Sequence, residues 1–66
     1  MKSHRFHFVD GDYTEADGDW DNDDLSYAFR QGIGWIDLNL RGTDRPVLIN
    51  LHHVTMIESL EDDDDA

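Results

Sequence analysis

The sequence contains no cysteine, and this absence excludes two kinds of structural support. No disulfide bond can form, and no thiolate can hold a metal ion. A chain without disulfides suits a reducing compartment, so we expect a cytoplasmic location. A chain of 66 residues buries only about 60% of the surface that its unfolded form exposes. Its stability must therefore come from one small hydrophobic core.

Long apolar runs are also missing. A helix that spans a bilayer needs about 20 consecutive apolar residues, and this chain has only short apolar runs. Residues 1–9 alternate between apolar and polar side chains, unlike the continuous apolar segment of a signal peptide. We therefore predict a soluble protein that does not associate with membranes.

Basic residues are scarce. Five Lys and Arg residues stand against 16 Asp and Glu residues, which gives a formal net charge of −11. Such a charge disfavours direct binding to nucleic acids or to anionic membranes, and it favours a cationic partner. The chain is nevertheless 38% hydrophobic and 11% aromatic, which indicates a folded core rather than disorder.

The acidic residues are concentrated in two segments. Residues 10–24 (DGDYTEADGDWDNDD) contain eight acidic residues and no basic one. The second segment, residues 62–66, is predicted to be an acidic tail after a single domain over residues 1–61. Within the first segment, aspartates occupy every other position from Asp17 to Asp23. In an extended chain they would share one face at intervals of about 6.7 Å, close to the repeat of phosphates along a nucleic-acid strand.

Aromatic residues are interleaved with these acids. A solubilising surface is the simplest interpretation of a charge run. However, Tyr13 and Trp20 lie within the segment, and aromatic side chains are frequent anchors of protein interfaces. The net charge also lowers the stability of a domain that has little to spare. We predict a partner-binding surface formed by Asp10, Asp12, Tyr13, Glu15, Asp17, Asp19, Trp20, Asp21, Asp23 and Asp24.

Hydrophobic periodicity predicts an α+β fold, a small antiparallel sheet of about four strands with one short helix. Alternation of apolar and polar residues predicts strands over residues 2–9, 34–41, 46–51 and 54–58. Residues 13–20 are compatible with a loop or with a short edge strand. The expected core consists of Phe6, Phe8, Leu25, Phe29, Ile36, Leu38, Leu40, Val47, Ile49, Val54 and Ile57.

The helix is predicted over residues 25–31, between the first and second strands. Leu25, Ala28 and Phe29 have the spacing of one buried helix face. Gly32 is a typical C-terminal stop. Three residues before the helix are favourable N-caps, namely Asp21, Asn22 and Asp23.

Metal sites are not indicated by the residue spacing. Residues 17–21 (DGDWD) begin like a calcium-binding EF-hand loop, but Asn22 replaces the required glycine and Ala28 replaces the bidentate glutamate. The four histidines do not converge, because the first two lie on opposite faces of a strand and the last two are adjacent: His4, His7, His52 and His53. We predict no metal and no cofactor.

Catalysis is also not indicated. The sequence has no glycine-rich phosphate loop, no nucleophile elbow and no recognisable triad. A domain of this size has little room for a pocket that encloses a substrate. We therefore predict a binding protein rather than an enzyme.

Residues 35–58 (WIDLNLRGTDRPVLINLHHVTMIE) are similar to small β-rich proteins of phages and flagellar operons. In those proteins a hairpin is followed by the pattern L-I-N-x-x-x-I and then by x-I-E. The usual proline after the asparagine is absent here. The resemblance covers about a third of the chain, supports the predicted sheet and implies no active site. The matching residues are Leu48, Ile49, Asn50, Val54, Ile57 and Glu58.

In size and charge layout the chain resembles the small acidic inhibitors that phages and mobile elements direct against host nucleases, such as anti-CRISPR proteins and other DNA mimics. This resemblance implies a host-cell cytoplasmic inhibitor that occupies the DNA-binding or PAM-reading groove of a CRISPR effector. The alternative is an acidic adaptor or assembly module for another basic protein. A homodimer is a further expectation, because a short sheet leaves edges and one face uncovered.

Overall fold

Residues 2–60 are described by a computed structural model, in which one antiparallel five-stranded sheet packs against one α-helix. The predicted α+β class is confirmed, although the sheet has five strands rather than four. Among these residues no helix is long and apolar enough to cross a membrane. The elements are β1 (Lys2–Phe8), β2 (Tyr13–Gly18), α1 (Asn22–Arg30), β3 (Trp35–Leu40), β4 (Pro46–Asn50), a 3₁₀ turn (Leu51–His53) and β5 (Val54–Ser59).

Strand β2 is the element that the sequence pattern did not identify. The interpretation of residues 13–20 as a loop or edge strand is wrong, because β2 lies in the centre of the sheet between β1 and β3. Its Ala16 is fully buried and pairs with His4 on one side and Leu40 on the other. The acidic residues of β2 alternate with Ala16 and point to the other face of the sheet. As a consequence, α1 lies between the second and third strands.

The sheet is strongly curled. Its strand order, β4-β3-β2-β1-β5, places β4 and β5 at opposite edges, yet only Leu51–His53 connects these two strands. Four interstrand spacings in a flat sheet amount to about 19 Å, whereas the four residue steps from Asn50 to Val54 span at most about 14 Å. The two edges must therefore approach each other. The Val9 N–H donates to the carbonyl of His53 at 2.9 Å and helps to hold this junction.

The concave face of the sheet carries the core. Strand register places Phe6 opposite Ile57, and Ile36 opposite Ile49, on this face. His4 is also buried here, with its Nε2 3.2 Å from the Asn22 side-chain oxygen. Most of the expected core is confirmed: Phe6, Leu25, Ile36, Leu38 and Ile49 are buried, and Phe8, Val47, Val54 and Ile57 pack around them. Leu40 was also expected there, but it is only half-buried and does not belong to this cluster.

Helix α1 begins close to its predicted position because of its cap. The Asp21 carboxylate accepts a hydrogen bond from the Asp24 N–H at 2.8 Å, and the Asp24 carboxylate accepts one from the Asp21 N–H at 3.3 Å. This reciprocal arrangement satisfies two of the N–H groups that a helix start leaves without partners. Gly32, with φ of 77°, follows the C-cap residue Gln31.

Phe29 contradicts the predicted core. Its side chain is 62% exposed, whereas Leu25 and Ala28 of the same helix are buried. The buried stripe of this nine-residue helix is narrow, because only Leu25 and Ala28 are buried. Phe29 therefore lies beside the edge strand β5 instead of over the sheet, and it lines a groove together with Met56.

The convex face of the sheet, called the open face below, is not covered by any other element within residues 2–60. By strand register it carries Arg5 of β1, the acidic side chains of β2 and Glu58 of β5. Exposed apolar side chains also lie on it, including Trp35 and Leu48. The ionisable side chains of these three strands on the open face are Arg5, His7, Glu15, Asp17 and Glu58.

Candidate functional site

The acidic segment 10–24 does not form one surface. Asp10 and Asp12 lie in the turn between β1 and β2, where the Asp10 carboxylate accepts a hydrogen bond from the Asp12 N–H at 3.0 Å. Strand β2 runs from this turn to the start of α1 and is about 17 Å long. The turn aspartates are therefore separated from the aspartates that follow β2 by the length of the strand.

Glu15 is neutralised on the open face. Its carboxylate accepts two hydrogen bonds from the Arg5 guanidinium, at 2.6 and 2.9 Å, and one from Arg41 at 3.1 Å. The hydrogen bonds from Arg5 and then those from Arg41 lower the pKa of Glu15 below its usual range. Arg5 also lies 3.5 Å from Glu58, which accepts from His7 at 2.8 Å. Glu15 is thus part of an internal ion-pair network.

Tyr13 belongs to the same network. The Arg5 guanidinium lies 5.1 Å from the centre of the Tyr13 ring, and the His7 ring lies 5.9 Å away. Such a cation–π contact holds the two side chains together on the open face. Tyr13 is therefore separated from Trp20, the other aromatic residue of the acidic segment.

Asp17 is a structural residue rather than an exposed phosphate substitute. Its side chain is buried and accepts hydrogen bonds from the Ser3 hydroxyl at 2.5 Å and from the Gly42 N–H at 2.8 Å. Burial raises the pKa of Asp17, but the hydrogen bonds from Ser3 and Gly42 outweigh this effect, so that its pKa is lowered overall. The bond to Gly42 ties the β3–β4 turn to the centre of the sheet.

The predicted row of alternating aspartates is therefore wrong. The row required an extended chain from Asp17 to Asp23, but β2 ends at Gly18 and α1 begins at Asn22. The capping box between Asp21 and Asp24 stabilises this change of direction, and its N-cap, Asp21, is one of the three residues that the sequence offered for that position. The side chains no longer share the face of one strand.

Four aspartates remain together where the chain enters the helix. We call Asp19, Asp21, Asp23 and Asp24 the aspartate cluster. Within residues 2–60 none of them takes part in a salt bridge. The N–H of Asp24 is the main cause that lowers the pKa of Asp21, so that this carboxylate is ionised at neutral pH. The positive end of the helix dipole favours negative charge here.

Two aromatic side chains border the aspartate cluster. Trp20 is half-buried and packs against the core, whereas Tyr27 is 60% exposed. Together with Asp19 and Asp24 they line a shallow concavity of about 270 Å³. The sequence prediction omitted Tyr27, although it follows Asp23 and Asp24 by four and three positions, which places it on the same helix face.

The last described residue, Leu60, lies near the aspartate cluster. The Leu60 N–H donates to the carbonyl of Ser3 at 2.9 Å, and the neighbouring Lys2 pairs with Gly18 at the end of β2. Residues 61–66, which include the predicted tail 62–66, lie outside the described residues. By sequence, five of these six residues are acidic.

The described residues hold no candidate metal centre. Within residues 2–60 no three His, Asp or Glu side chains are grouped so that they could bind a metal ion. His4 is buried and its Nδ1 has no hydrogen-bond partner in that part of the chain. His7 is engaged with Glu58 on the open face. The candidate site therefore consists of carboxylates that form no salt bridge within residues 2–60, next to the rings of Trp20 and Tyr27.

Comparison of the chain with protein-family models, with curated proteins and with solved structures finds no match. Its function must therefore be inferred from its own residues and their geometry.

Proposed function

We propose that the protein acts by binding rather than by catalysis, and that it inhibits a nucleic-acid-binding protein by occupying that protein's basic groove. The aspartate cluster and the two aromatic residues beside it, Trp20 and Tyr27, form the contact surface. The expected target is a host defence nuclease in the cytoplasm, with CRISPR effectors as the first class to test. In such effectors, Arg side chains read the PAM and a basic channel holds the nucleic acid.

The observation that carries this proposal is that some acidic side chains are paired with arginine and others are not. Both glutamates within residues 2–60 are paired with Arg5, whereas none of the aspartates in the cluster takes part in a salt bridge in that range. Unpaired carboxylates are available to the Arg and Lys side chains that line a nucleic-acid groove. Tyr27 adds an exposed aromatic surface of the kind that forms hot spots.

The test is displacement of a labelled PAM-containing DNA duplex from purified guide-loaded CRISPR effectors, followed by fluorescence anisotropy. The wild-type protein should release the duplex, and added salt should weaken the inhibition. The triple variant Asp19→Asn/Asp21→Asn/Asp23→Asn should lose at least about tenfold in inhibitory potency, because loss of one partner of a desolvated charge pair costs about 2–5 kcal/mol. Asn remains a good N-cap at position 21, so the helix should persist.

A matched control removes the same amount of charge from other positions. The variant Asp10→Asn/Asp12→Asn/Asp44→Asn changes three aspartates in the β1–β2 and β3–β4 turns. It should retain inhibition within about threefold, since exposed charges about 10 Å or more from the contact are screened at physiological salt. Equal losses in both triple variants would show that only net charge matters and would overturn the proposed site.

The adaptor function remains the second candidate, and the loss of the regular carboxylate row favours it. Four aspartates in a compact cluster fit a small basic patch as well as an extended groove. An adaptor binds its basic partner without releasing DNA from it. Binding to an effector with no displacement of the labelled duplex would therefore favour the adaptor over the mimic.

A further inference from the structure

We propose that the groove between α1 and β5 binds an extended segment of a partner protein, which adds to β5 as a further strand and inserts an apolar side chain beside Phe29. The segment should alternate apolar with basic residues. This surface is separate from the aspartate cluster, and it extends the proposed function by a second contact.

The first support is the composition of the groove. Its volume is about 320 Å³, and none of its lining residues is ionisable, in a chain with 32% charged residues. Leu25 and Leu51 are buried at its base. Phe29 and Met56 border it with 62% and 50% of their surfaces exposed. A concave apolar surface with exposed large side chains is typical of a binding site.

The second support is the edge of β5 opposite β1, along which no strand of residues 2–60 pairs. Four consecutive residues, 54–57, line the groove. Neighbouring side chains of a strand point to opposite faces of the sheet. The groove therefore runs along the edge of the strand. Leu60 donates its N–H to Ser3 and is therefore part of a hydrogen-bonded pair. Since such pairs alternate along an antiparallel ladder, the N–H and C=O of Ile57 point away from β1. They are available to an added strand.

Charge decides the chemistry of the occupant. The chain carries a formal net charge of −11, and Asp23 follows the groove residue Asn22 on α1, so the surroundings of the apolar lining are negative. A partner segment therefore needs apolar side chains toward the groove and Lys or Arg side chains outside it. The chain's own residues 61–66 do not meet this requirement, because five of the six are acidic. A second copy carries the same charge of −11 and no basic residue in β5.

The experiment titrates ¹⁵N-labelled full-length protein with a synthetic peptide that alternates Lys and Val over about seven residues. The amide signals of Ile57 and its neighbours should shift most. A peptide of the same composition with blocks of Lys and Val, which cannot present one apolar face, should bind at least about tenfold more weakly, a difference of about 1.4 kcal/mol.

Two equally exposed aromatic residues provide matched variants. Phe29→Gln should weaken binding of the alternating peptide at least about tenfold, as expected for a hot spot. Trp35→Gln, on the open face, should leave it unchanged. Circular dichroism verifies that both variants are folded. Equal binding by wild type and Phe29→Gln, or no binding by the wild type, would overturn the proposal.

Two further results separate this proposal from its alternatives. The Asp19→Asn/Asp21→Asn variant, which keeps Asp23, should still bind the peptide with the shifts centred on Ile57, whether or not the wild type displaces DNA from an effector. Failure of the proposed function would thus leave this result intact. A concentration-dependent dimer that Phe29→Gln converts to a monomer would instead assign the groove to a second copy and overturn the partner segment.

Discussion

The open face and the aspartate cluster handle negative charge in opposite ways. On the open face, Arg5 stands between Glu15 and Glu58, and Arg41 approaches Glu15 from the other side. In the aspartate cluster, four carboxylates share one helix entrance, and none is part of a salt bridge within residues 2–60. Identical chemical groups therefore serve stability in one region and remain available for a partner in the other.

The difference follows from position in the fold rather than from residue type alone. Cross-strand neighbours on an antiparallel sheet lie about 5 Å apart, so a basic residue on β1, between β2 and β5, reaches acids on both adjacent strands. A helix start stabilises acids mainly through its N–H groups and its dipole, and at Asp21 the charge of Lys2 is only a lesser cause of the lowered pKa. Its acids are tolerated without being neutralised.

The largest expected effect comes from Asp17, the one acid of the segment that is buried. Asp17→Ala removes the acceptor for the Ser3 hydroxyl and the Gly42 N–H. Each of the two donors left without a partner costs about 1–3 kcal/mol, so the free energy of unfolding should fall by about 2–6 kcal/mol. Asp19→Ala is the control and should change it by less than about 0.5 kcal/mol. Urea denaturation measures both; similar values would contradict the structural role of Asp17.

Acid pH should weaken the sheet through the same residue. The pKa of Asp17 is lowered in the folded state, so the folded protein holds its ionised form more tightly than the unfolded chain does. This contribution is complete above the unfolded pKa of about 3.9 and is lost as the pH falls through the folded value.

The measurement is the urea midpoint of wild type and of Asp17→Asn between pH 7 and pH 2. The lowered pKa values of Glu15 and Glu58 also reduce the stability of the fold as the pH falls, but they do so in both proteins. The wild type should therefore lose more stability than the variant below about pH 4. Parallel curves for the two proteins would show that Asp17 titrates alike when folded and unfolded.

The ion-pair network should have a smaller effect, and one that depends on salt. Arg5→Gln removes the cation shared by Glu15 and Glu58 and the contact with Tyr13. We expect a lower melting temperature, with the loss reduced at 1 M salt because exposed ion pairs are screened. Arg45→Gln, in the β3–β4 turn, is the control for removal of one positive charge. An equal decrease for Arg45→Gln would assign the effect to net charge.

The smallest effect should come from relief of repulsion. Asp19→Asn should raise the free energy of unfolding by no more than about 0.5 kcal/mol at low salt, because Asp19 lies among like charges. The increase should disappear at high salt. Asp44→Asn makes the same change close in sequence to Arg41 and Arg45 and should not stabilise. Thermal melts at two salt concentrations test both variants. Equal stabilisation by both would show that the effect comes from net charge and not from repulsion around Asp19.

The sequence alone determined the elements whose patterns are strong. The alternation of Ile36 and Leu38, and the spacing of Leu25 and Ala28, identified a strand and a helix face because burial of these side chains dominates their local energetics. Composition likewise excluded disulfide bonds, and the chain length made one small domain the natural expectation.

Only the tertiary structure decided the role of each acid in residues 10–24. Asp17 and Asp19 look equivalent in the sequence, yet one is buried against Ser3 and Gly42 and the other is exposed. The partners of Glu15 and Asp17 come from residues as far as 26 positions away, as with Arg41. Long-range pairing of this kind leaves no periodic signal, because it depends on strand order and register rather than on neighbouring residues.

The position of Phe29 was decided in the same way. Its helical spacing predicted burial, but the side chain is exposed and borders a groove beside β5. Local periodicity specifies which residues share a helix face, whereas the extent of the covering surface is set by how strands from distant parts of the chain assemble. The sequence thus defined the elements and the charge, and the curled sheet determined which side chains remain available for binding.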